Sequence, residues 1–246
     1  MKTVVVIPTY NERDNIGRLL PELMTLGVSD MEVLVVDSNS PDGTADVVKE
    51  FSEHNPRVHL LKEAKKSGLG GAYILGMRYA MDKLRADIVC EMDADLQHGP
   101  ADLANLILAV TSGADVAVGS RFVPGGSIPR QWAWYRKCLS HFGNLYARIL
   151  LGMWRHHDIT SGFRATRAEV LRKVNLERLL SRSFSYKIDL YYRLHKLRAY
   201  IVEVPITFGN RDEGNSKQDM KIGSGNDILD SLSVVGRIFW ERLCKK

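Results

Sequence analysis

Long apolar runs are missing from this 246-residue chain. No window reaches the roughly 18 consecutive apolar residues that a membrane-crossing helix needs, so none is expected. The strand-like VVVI near the N-terminus is cut off by Pro8 and is too short for a signal-peptide core. Cysteine is scarce. Cys90, Cys138 and Cys244 are odd in number and far apart, which argues against a disulfide or zinc framework and for free thiols in a reducing compartment. The seven histidines show no metal-ligand spacing, and His156-His157 reads as a loop pair. No serine sits in G-x-S-x-G, so nothing indicates a nucleophile-elbow hydrolase. The glycine-rich run Lys66-Ser67-Gly68-Leu69-Gly70-Gly71-Ala72 is followed by Tyr73. It matches neither the dinucleotide fingerprint nor the P-loop, which disfavours a NAD-dependent dehydrogenase and a P-loop ATPase. Internal repeats and low-complexity tracts are absent as well.

Negative charge is short in one half only. Residues 1–120 carry 11 Lys and Arg against 18 Asp and Glu, whereas residues 121–246 carry 23 against 11. The basic half suits a phosphate-bearing partner, an anionic membrane surface or nucleic acid. The hydrophobic fraction of 45% is that of a globular protein, and the length allows one large α/β domain or two small ones.

What is present alternates. Residues 3–7, 32–36, 58–61, 87–92 and 115–119 read as strands. Between them, Ile16, Leu19, Leu20 and Leu23 have helical spacing, with Pro21 as a possible kink, and residues 44–51, 71–84 and 103–111 read as helices. This alternation predicts an α/β fold, a mostly parallel central sheet with helices on both faces. The second half is less regular. Residues 122–130 form a Gly/Pro loop, 135–154 a helix of mixed apolar and basic pattern, 169–174 a short helix and 199–208 a strand. Residues 211–225 are polar and Gly-rich. In 226–246, Ile228, Leu232, Val235 and Phe239 mark an amphipathic helix. The expected division is a catalytic domain over 1–225 and this helix, a possible membrane-surface element, over 226–246.

Ligands of parallel α/β sheets bind at the carboxyl ends of the strands. Asp37, Asp93 and Arg121 all fall at such ends. In Glu91-Met92-Asp93-Ala94-Asp95-Leu96-Gln97-His98, extended backbone would put Asp93, Asp95 and Gln97 on one side. Two carboxylates and a neutral oxygen suit Mg²⁺ or Mn²⁺ and a diphosphate leaving group; the plain alternative is an exposed acidic turn. In Pro8-Thr9-Tyr10-Asn11-Glu12, Asn11 can cap a helix, or Tyr10 and Glu12 can meet a nucleotide. Asp37 and Ser40-Pro41-Asp42-Gly43-Thr44 offer a turn with Asp42 or Thr44 as cap, or a nucleotide contact. Gly70 and its neighbours either let backbone approach a ligand or make a tight helix entry. Arg121, Arg136 and Ser140 line up after the fifth strand, where arginine forks match phosphate oxygens or are ordinary surface charges. Arg211, Ser216 and Lys217 sit in a polar loop that suits closure over a phosphate.

Together these motifs resemble glycosyltransferase family 2 of the GT-A (Rossmann-like) fold, and within it the dolichyl-phosphate (polyprenol-phosphate) mannosyltransferases. The resemblance is carried by PTYNE at 8–12, SPDGT at 40–44, GLGGAY at 68–73, MDADLQH at 92–98 and GSRF at 119–122. It continues through ITSGFRATR at 159–167, EVPITF at 203–208 and the Arg211…Gly214…Ser216-Lys217 pattern. It implies that Pro8, Tyr10, Glu12, Asp37, Asp42, Gly70, Asp93, Ala94, Asp95 and Gln97 hold the sugar nucleotide, GDP-mannose. Asp93, Asp95 and Gln97 would hold the metal, Mg²⁺ or Mn²⁺. Arg121, Arg136, Ser140, Arg211 and Lys217 would hold the acceptor, a dolichyl or polyprenyl phosphate, with Asp95, Arg121 and Arg136 closest to catalysis. Members often carry Asp-Asp-Gly-Ser before PDGT; here Asp37-Ser38-Asn39-Ser40 lacks one carboxylate.

The implied chemistry needs no protein base, because a phosphate monoester is already anionic near neutral pH. What remains is positioning, neutralisation of the departing diphosphate and arginine clamping. Membrane attachment on the cytoplasmic face would come from the basic face and the 226–246 helix, or from a small membrane-spanning subunit that docks there; the plain alternative is that the apolar stripe of this helix packs on the protein's own core. Three alternatives stand beside this reading. One is a polyprenyl-phosphate glucosyltransferase using UDP-glucose. Another is a sugar transferase with a soluble acceptor and Asp189 as base, although Asp189 could equally be an arginine's structural partner. The third is a basic nucleic-acid-binding protein, which the acidic rim does not support.

Overall fold

The computed structural model describes residues 1–209 and 225–244. The apolar, β-branched runs form the inner strands β1 (Thr3–Thr9), β2 (Met31–Asp37), β4 (Ile88–Glu91) and β5 (Val116–Ser120), while β3 (Val58–Lys62) flanks β2. Their helices are α1 (Arg13–Met24), α2 (Thr44–His54), α3 (Leu69–Asp82) and α4 (Pro100–Thr111). Next come α5 (Trp134–Leu151), β6 (Arg164–Arg167), the single turn α6 (Ala168–Leu171), α7 (Tyr186–Lys196), β7 (Ile201–Pro205) and α8 (Gly225–Cys244). The sheet order is β3-β2-β1-β4-β6-β5-β7, and only β6 runs antiparallel. The expected mostly parallel sheet is therefore present.

Alternate strand residues face two cores, as the period of two requires. Val5, Ile7, Val33, Val35 and Ala117 pack with α1, α2 and α4. Val4, Val6, Leu34, Val36 and Val118 pack with α3, α5, α7 and α8. Pro21 sits within α1 without ending it. Asn11 does not cap α1. Its φ is 59°, and the amides of Asn11, Glu12 and Arg13 are instead bonded by Ser40 Oγ, Thr44 Oγ1 and Asp42 Oδ2 of the next loop.

Two elements went unread in the sequence. β6 is a four-residue strand, RATR, that buries Ala165 in the core on one face and an arginine on the other. Its register sets Arg164 opposite Glu91, and the guanidinium, fully buried, bonds both carboxylate oxygens at 2.8 and 3.0 Å. α7 buries Lys187 and Asp189 beside Ile188 and Leu190, so it has no plain apolar stripe. Asp189 resolves its two readings: at 1% exposure it accepts from Arg193 and from the Leu180 amide, an arginine's structural partner. α8 packs Val234, Val235 and Ile238 into the same core as α3, α5 and α7, while Leu229, Leu232 and Trp240 stay exposed.

Candidate functional site

The carboxyl ends of the parallel strands gather the candidate residues on one rim. β4 ends at Glu91, and the chain turns rather than continuing extended, with Leu96 at φ 62°. Asp93 is the more open carboxylate of the pair, with 26% of its side chain exposed. It accepts from Tyr73 Oη at 2.7 Å and from Lys187 Nζ at 3.2 Å. Burial raises its pKa, but the charges of Lys187 and His98 and these hydrogen bonds prevail and bring it to about 2. Asp95 and Ala94 are buried. Asp95 Oδ1 accepts the Gln97 amide at 3.2 Å. Gln97 has turned its Nε2 to the Gly209 carbonyl at 3.2 Å and its own carbonyl to the Gly209 amide at 2.8 Å, so it anchors residue 209.

His98 follows, 5% exposed, stacked on Phe163 at 4.4 Å, and its Nδ1 is buried without a hydrogen-bond partner. Burial lowers its pKa against the opposing pull of Asp93 and Asp95. Among the described residues no three His, Cys, Asp or Glu side chains are grouped as a metal site. The donor chemistry still fits Mg²⁺ or Mn²⁺. Two carboxylates and the amide oxygen of Gln97 are hard ligands, and such ions complete their shell with substrate phosphates and water.

At the ends of β1 and β2 the structure separates rim from scaffold. Asp37 is fully buried and saturated by Thr9 Oγ1, Ser40 N and Ser40 Oγ. Asp42 is bonded to Thr44 and the Arg13 amide, and burial, which raises its pKa, is outweighed by these bonds. Pro8 is inside β1. Gly70 lets another stretch of backbone approach: a Cβ there would lie 2.9 Å from Ser183 O, and the Gly71 amide bonds Arg182 O. Tyr10 and Glu12 are partly open; the Tyr10 ring carries Lys66 Nζ 3.2 Å from its centroid, and Glu12 accepts from Asn15. Glu63, missed in the sequence, has its amide on the Asp37 carbonyl and its carboxylate buried and bonded by Ser38 and Ser67 at 2.5 Å each.

Arg121, just past β5, does not stand free. Its Nε and Nη2 bond Asp158 at 2.7 and 2.8 Å, and Nη2 also bonds Thr160 at 2.9 Å. Burial raises the Asp158 pKa, but the Arg121 charge and hydrogen bonds hold it below its ordinary value. Because β6 is antiparallel, the segment entering it, with Asp158 and Thr160, reaches this same rim. Asp158 heads the ITSGFRATR run, the signal that would have found it. Glu203 bonds the amides of both His157 and Asp158. Arg121 lines a cleft of about 610 Å³ with Phe122, His141, Asn144, Arg148 and His157. Arg136 and Ser140 lie farther toward the start of α5 and do not line it; Arg136 stacks on Trp132 at 4.0 Å. No acidic residue occurs between Asp115 and Asp158, a stretch with six Lys and Arg. Arg211, Ser216 and Lys217 lie outside the described residues.

Comparison with known proteins bears on this rim. The profile described as glycosyl transferase family 2 matches residues 4–174. A polyprenol monophosphomannose synthase of Mycolicibacterium smegmatis is 42% identical over 95% of this chain and 85% of its own length. An undecaprenyl-phosphate mannosyltransferase of Micrococcus luteus is 43% identical over 88% and 87%. A dolichol-phosphate mannosyltransferase of Pyrococcus furiosus is 37% identical over 98% of this chain and 65% of that protein. Two solved structures share the fold. Glucosyl-3-phosphoglycerate synthase of Mycobacterium tuberculosis, with Mn²⁺, UDP and its product, has a TM-score of 0.67 at 19% identity, covering 96% and 80%. A mannosyltransferase of Pyrobaculum calidifontis with GDP-mannose and Mn²⁺ has 0.63 at 18%, covering 96% and 64%.

Proposed function

The chain belongs to glycosyl transferase family 2, and from that membership we propose that it moves mannose from GDP-mannose to a polyprenyl or dolichyl phosphate. The product is a polyprenyl β-mannosyl phosphate for protein or lipid glycosylation. The observation that carries this is the juxtaposition on one sheet edge. The Asp93–Gln97 turn follows β4, and the Arg121 cleft, lined from the 116–157 stretch whose own sequence has no acid, follows β5. A sugar diphosphate and a phosphate nucleophile can then meet between an acidic and a basic wall.

The reaction follows from those walls. A phosphate oxygen of the acceptor forms the new bond to C1 while the bond from C1 to the diphosphate breaks, and the electron pair leaves with GDP. In-line attack inverts C1. Asp95, with Asp93 and Gln97 Oε1, would hold a divalent cation, Mg²⁺ or Mn²⁺, which when bound neutralises charge developing on the diphosphate. Arg121 is presented to the cleft by Asp158 and Thr160 in one fixed orientation, so little reorganisation is left for binding phosphate. Asp189 is sequestered by Arg193, which removes the base that a soluble-acceptor reading would need.

No helix among the described residues is long and apolar enough to cross a membrane. α5 supports peripheral attachment, its exposed apolar face adding to Leu229, Leu232, Trp240 and Leu243 of α8. Tyr135, Leu139, Phe142, Tyr146 and Ile149, at spacings of four and three, form an outward apolar stripe, and Trp134 is 77% exposed. Such a stripe, with Arg136, Lys137 and Arg148 on the same helix, suits an anionic lipid interface beside the acceptor cleft. Purified protein, labelled GDP-mannose or UDP-glucose, polyprenyl phosphate, and Mn²⁺ or Mg²⁺ or neither test the whole reading. Lipid-linked mannose from GDP-mannose is expected; lipid-linked glucose alone would shift the donor, and no lipid-linked label from either would sink the proposal.

A further inference from the structure

A lysine occupies the acidic wall. Lys187 is on the first turn of α7, its side chain is 3% exposed, and its Nζ lies 3.2 Å from Asp93 Oδ2. Tyr73 holds the other oxygen of the same carboxylate. The path of the lysine is built. Gly162 lies beneath it, and a Cβ there would collide with its Cδ, Cε and Nζ. The Phe184 ring centroid is 4.6 Å from Nζ. The Lys187 backbone carbonyl accepts from Arg164, whose guanidinium is locked to Glu91 beneath the rim. Removing the Asp93 carboxylate would leave this buried side chain without its ion-pair partner.

We propose that Lys187 is a positioning residue that neutralises and orients Asp93, so a divalent cation alone binds weakly and tight binding requires the donor's diphosphate. Asp93, already paired, cannot offer a net charge to an incoming cation. Once a diphosphate enters, its own negative charge offsets the ammonium, and cation and donor bind as a unit. The order of loading is thereby built into the protein: an empty site does not sequester metal.

This rests on the donor-site reading, and its test uses no sugar. Free Mn²⁺ is titrated by electron paramagnetic resonance against the protein, with and without GDP. A unit charge a few ångströms away across a part-buried site is worth at least about tenfold in affinity. Lys187→Met should therefore bind Mn²⁺ alone roughly tenfold more tightly and lose most of the GDP dependence, while Lys187→Arg should stay near the native value. The neutral pair Asp93→Asn with Lys187→Met should also stay within about threefold of native, and it guards against misfolding of the single variant. Metal affinity in Lys187→Met that is unchanged or weaker would overturn the proposal. So would a neutral pair that loses as much affinity as Asp95→Ala. Because transfer is assayed separately, a chain that fails to make lipid-linked mannose but shows this Mn²⁺ pattern refutes the function and not the pairing, and the converse holds.

Discussion

Glu91→Gln is the sharpest probe of how the rim is held. Glu91 accepts three hydrogen bonds, two from Arg164 and one from Tyr186 Oη at 2.9 Å. The side chains of the ion pair are 0% and 3% exposed. Removing the carboxylate charge leaves a guanidinium in the core with only neutral partners, and breaking such a pair from one side costs about 3–5 kcal/mol. Unfolding entropy near ~2.1 cal/mol/K per residue gives this chain about 0.5 kcal/mol/K, so the melting temperature should drop by roughly 6–10 °C. Arg164→Met alone should cost a similar amount, because it strands the carboxylate. Together, Glu91→Leu and Arg164→Met should recover most of the loss, since an apolar pair of similar volume is often neutral. About 1–3 kcal/mol should persist from the Tyr186 hydroxyl left without its acceptor. Thermal melts of the wild type, the three singles and the double variant, followed by circular dichroism, give the coupling energy. Singles that shift the melt by less than 2 °C, or losses that simply add, would refute the account of β6 as a strand registered by its buried ion pair.

Other expected outcomes follow from the walls of the site. Asp95→Ala should abolish metal-dependent transfer and Mn²⁺-dependent GDP binding by calorimetry, whereas retained metal dependence would move the metal site elsewhere. Arg136→Ala should raise the KM for polyprenyl phosphate severalfold with GDP affinity unchanged; a loss of GDP affinity instead would place Arg136 on the donor side. Asp158, held below its ordinary pKa by Arg121, contributes stability that is complete above the unfolded carboxyl pKa and disappears as pH falls through the folded one. Asp158→Asn should therefore flatten the acid side of a plot of melting temperature against pH, and an unchanged slope there counts against the pairing. Trp134→Ser with Phe142→Ser, at sites 77% and 68% exposed, should cut flotation on anionic vesicles by tenfold or more at an unchanged melting temperature. Deletion of 226–246 that abolishes flotation in a still-folded protein would return the membrane contact to α8.

What could be read beforehand was whatever repeats. The five apolar runs and the helices between them announced a parallel sheet, and strand ends placed Asp37, Asp93 and Arg121 on one rim. What escaped depends on long-range pairing. Arg164–Arg167 has no apolar alternation, because the charge of its buried arginine is cancelled by Glu91, 73 residues away. α7 hides its inward face behind Lys187 and Asp189, each matched by a distant or helical partner. Asn11 has the composition of a cap, but residues 40–44 reach the helix amides first. The glycines at 68–71 looked equally suited to a ligand or a turn; their close approach is to the 182–183 backbone, which local sequence does not contain.

The split in charge along the chain acquires a second cause from these pairings. Arg164, Arg172 and Lys187 of the basic half are joined to Glu91, Asp82 and Asp93 of the acidic half. Part of the imbalance is therefore internal, the two halves neutralising each other across β4, β6 and α7, and says nothing about a ligand. The residue that does speak to one is the stretch from Val116 to His157. It contains no carboxylate, holds Arg121, Arg136 and Arg148, and carries Trp132, Trp134 and Trp154. Within it Arg121 is matched only by a carboxylate just outside, Asp158. A fold seeking stability alone would have interspersed acids among these arginines, since alternating signs lower self-repulsion. An acid-free stretch suits negative charge arriving from elsewhere, and the proposed function would supply it twice at α5: a lipid surface against its outer stripe and a phosphate in the cleft on its inner side. Under the proposed function the lipid acceptor would join the two, its phosphate in the cleft and its chain along the apolar stripe.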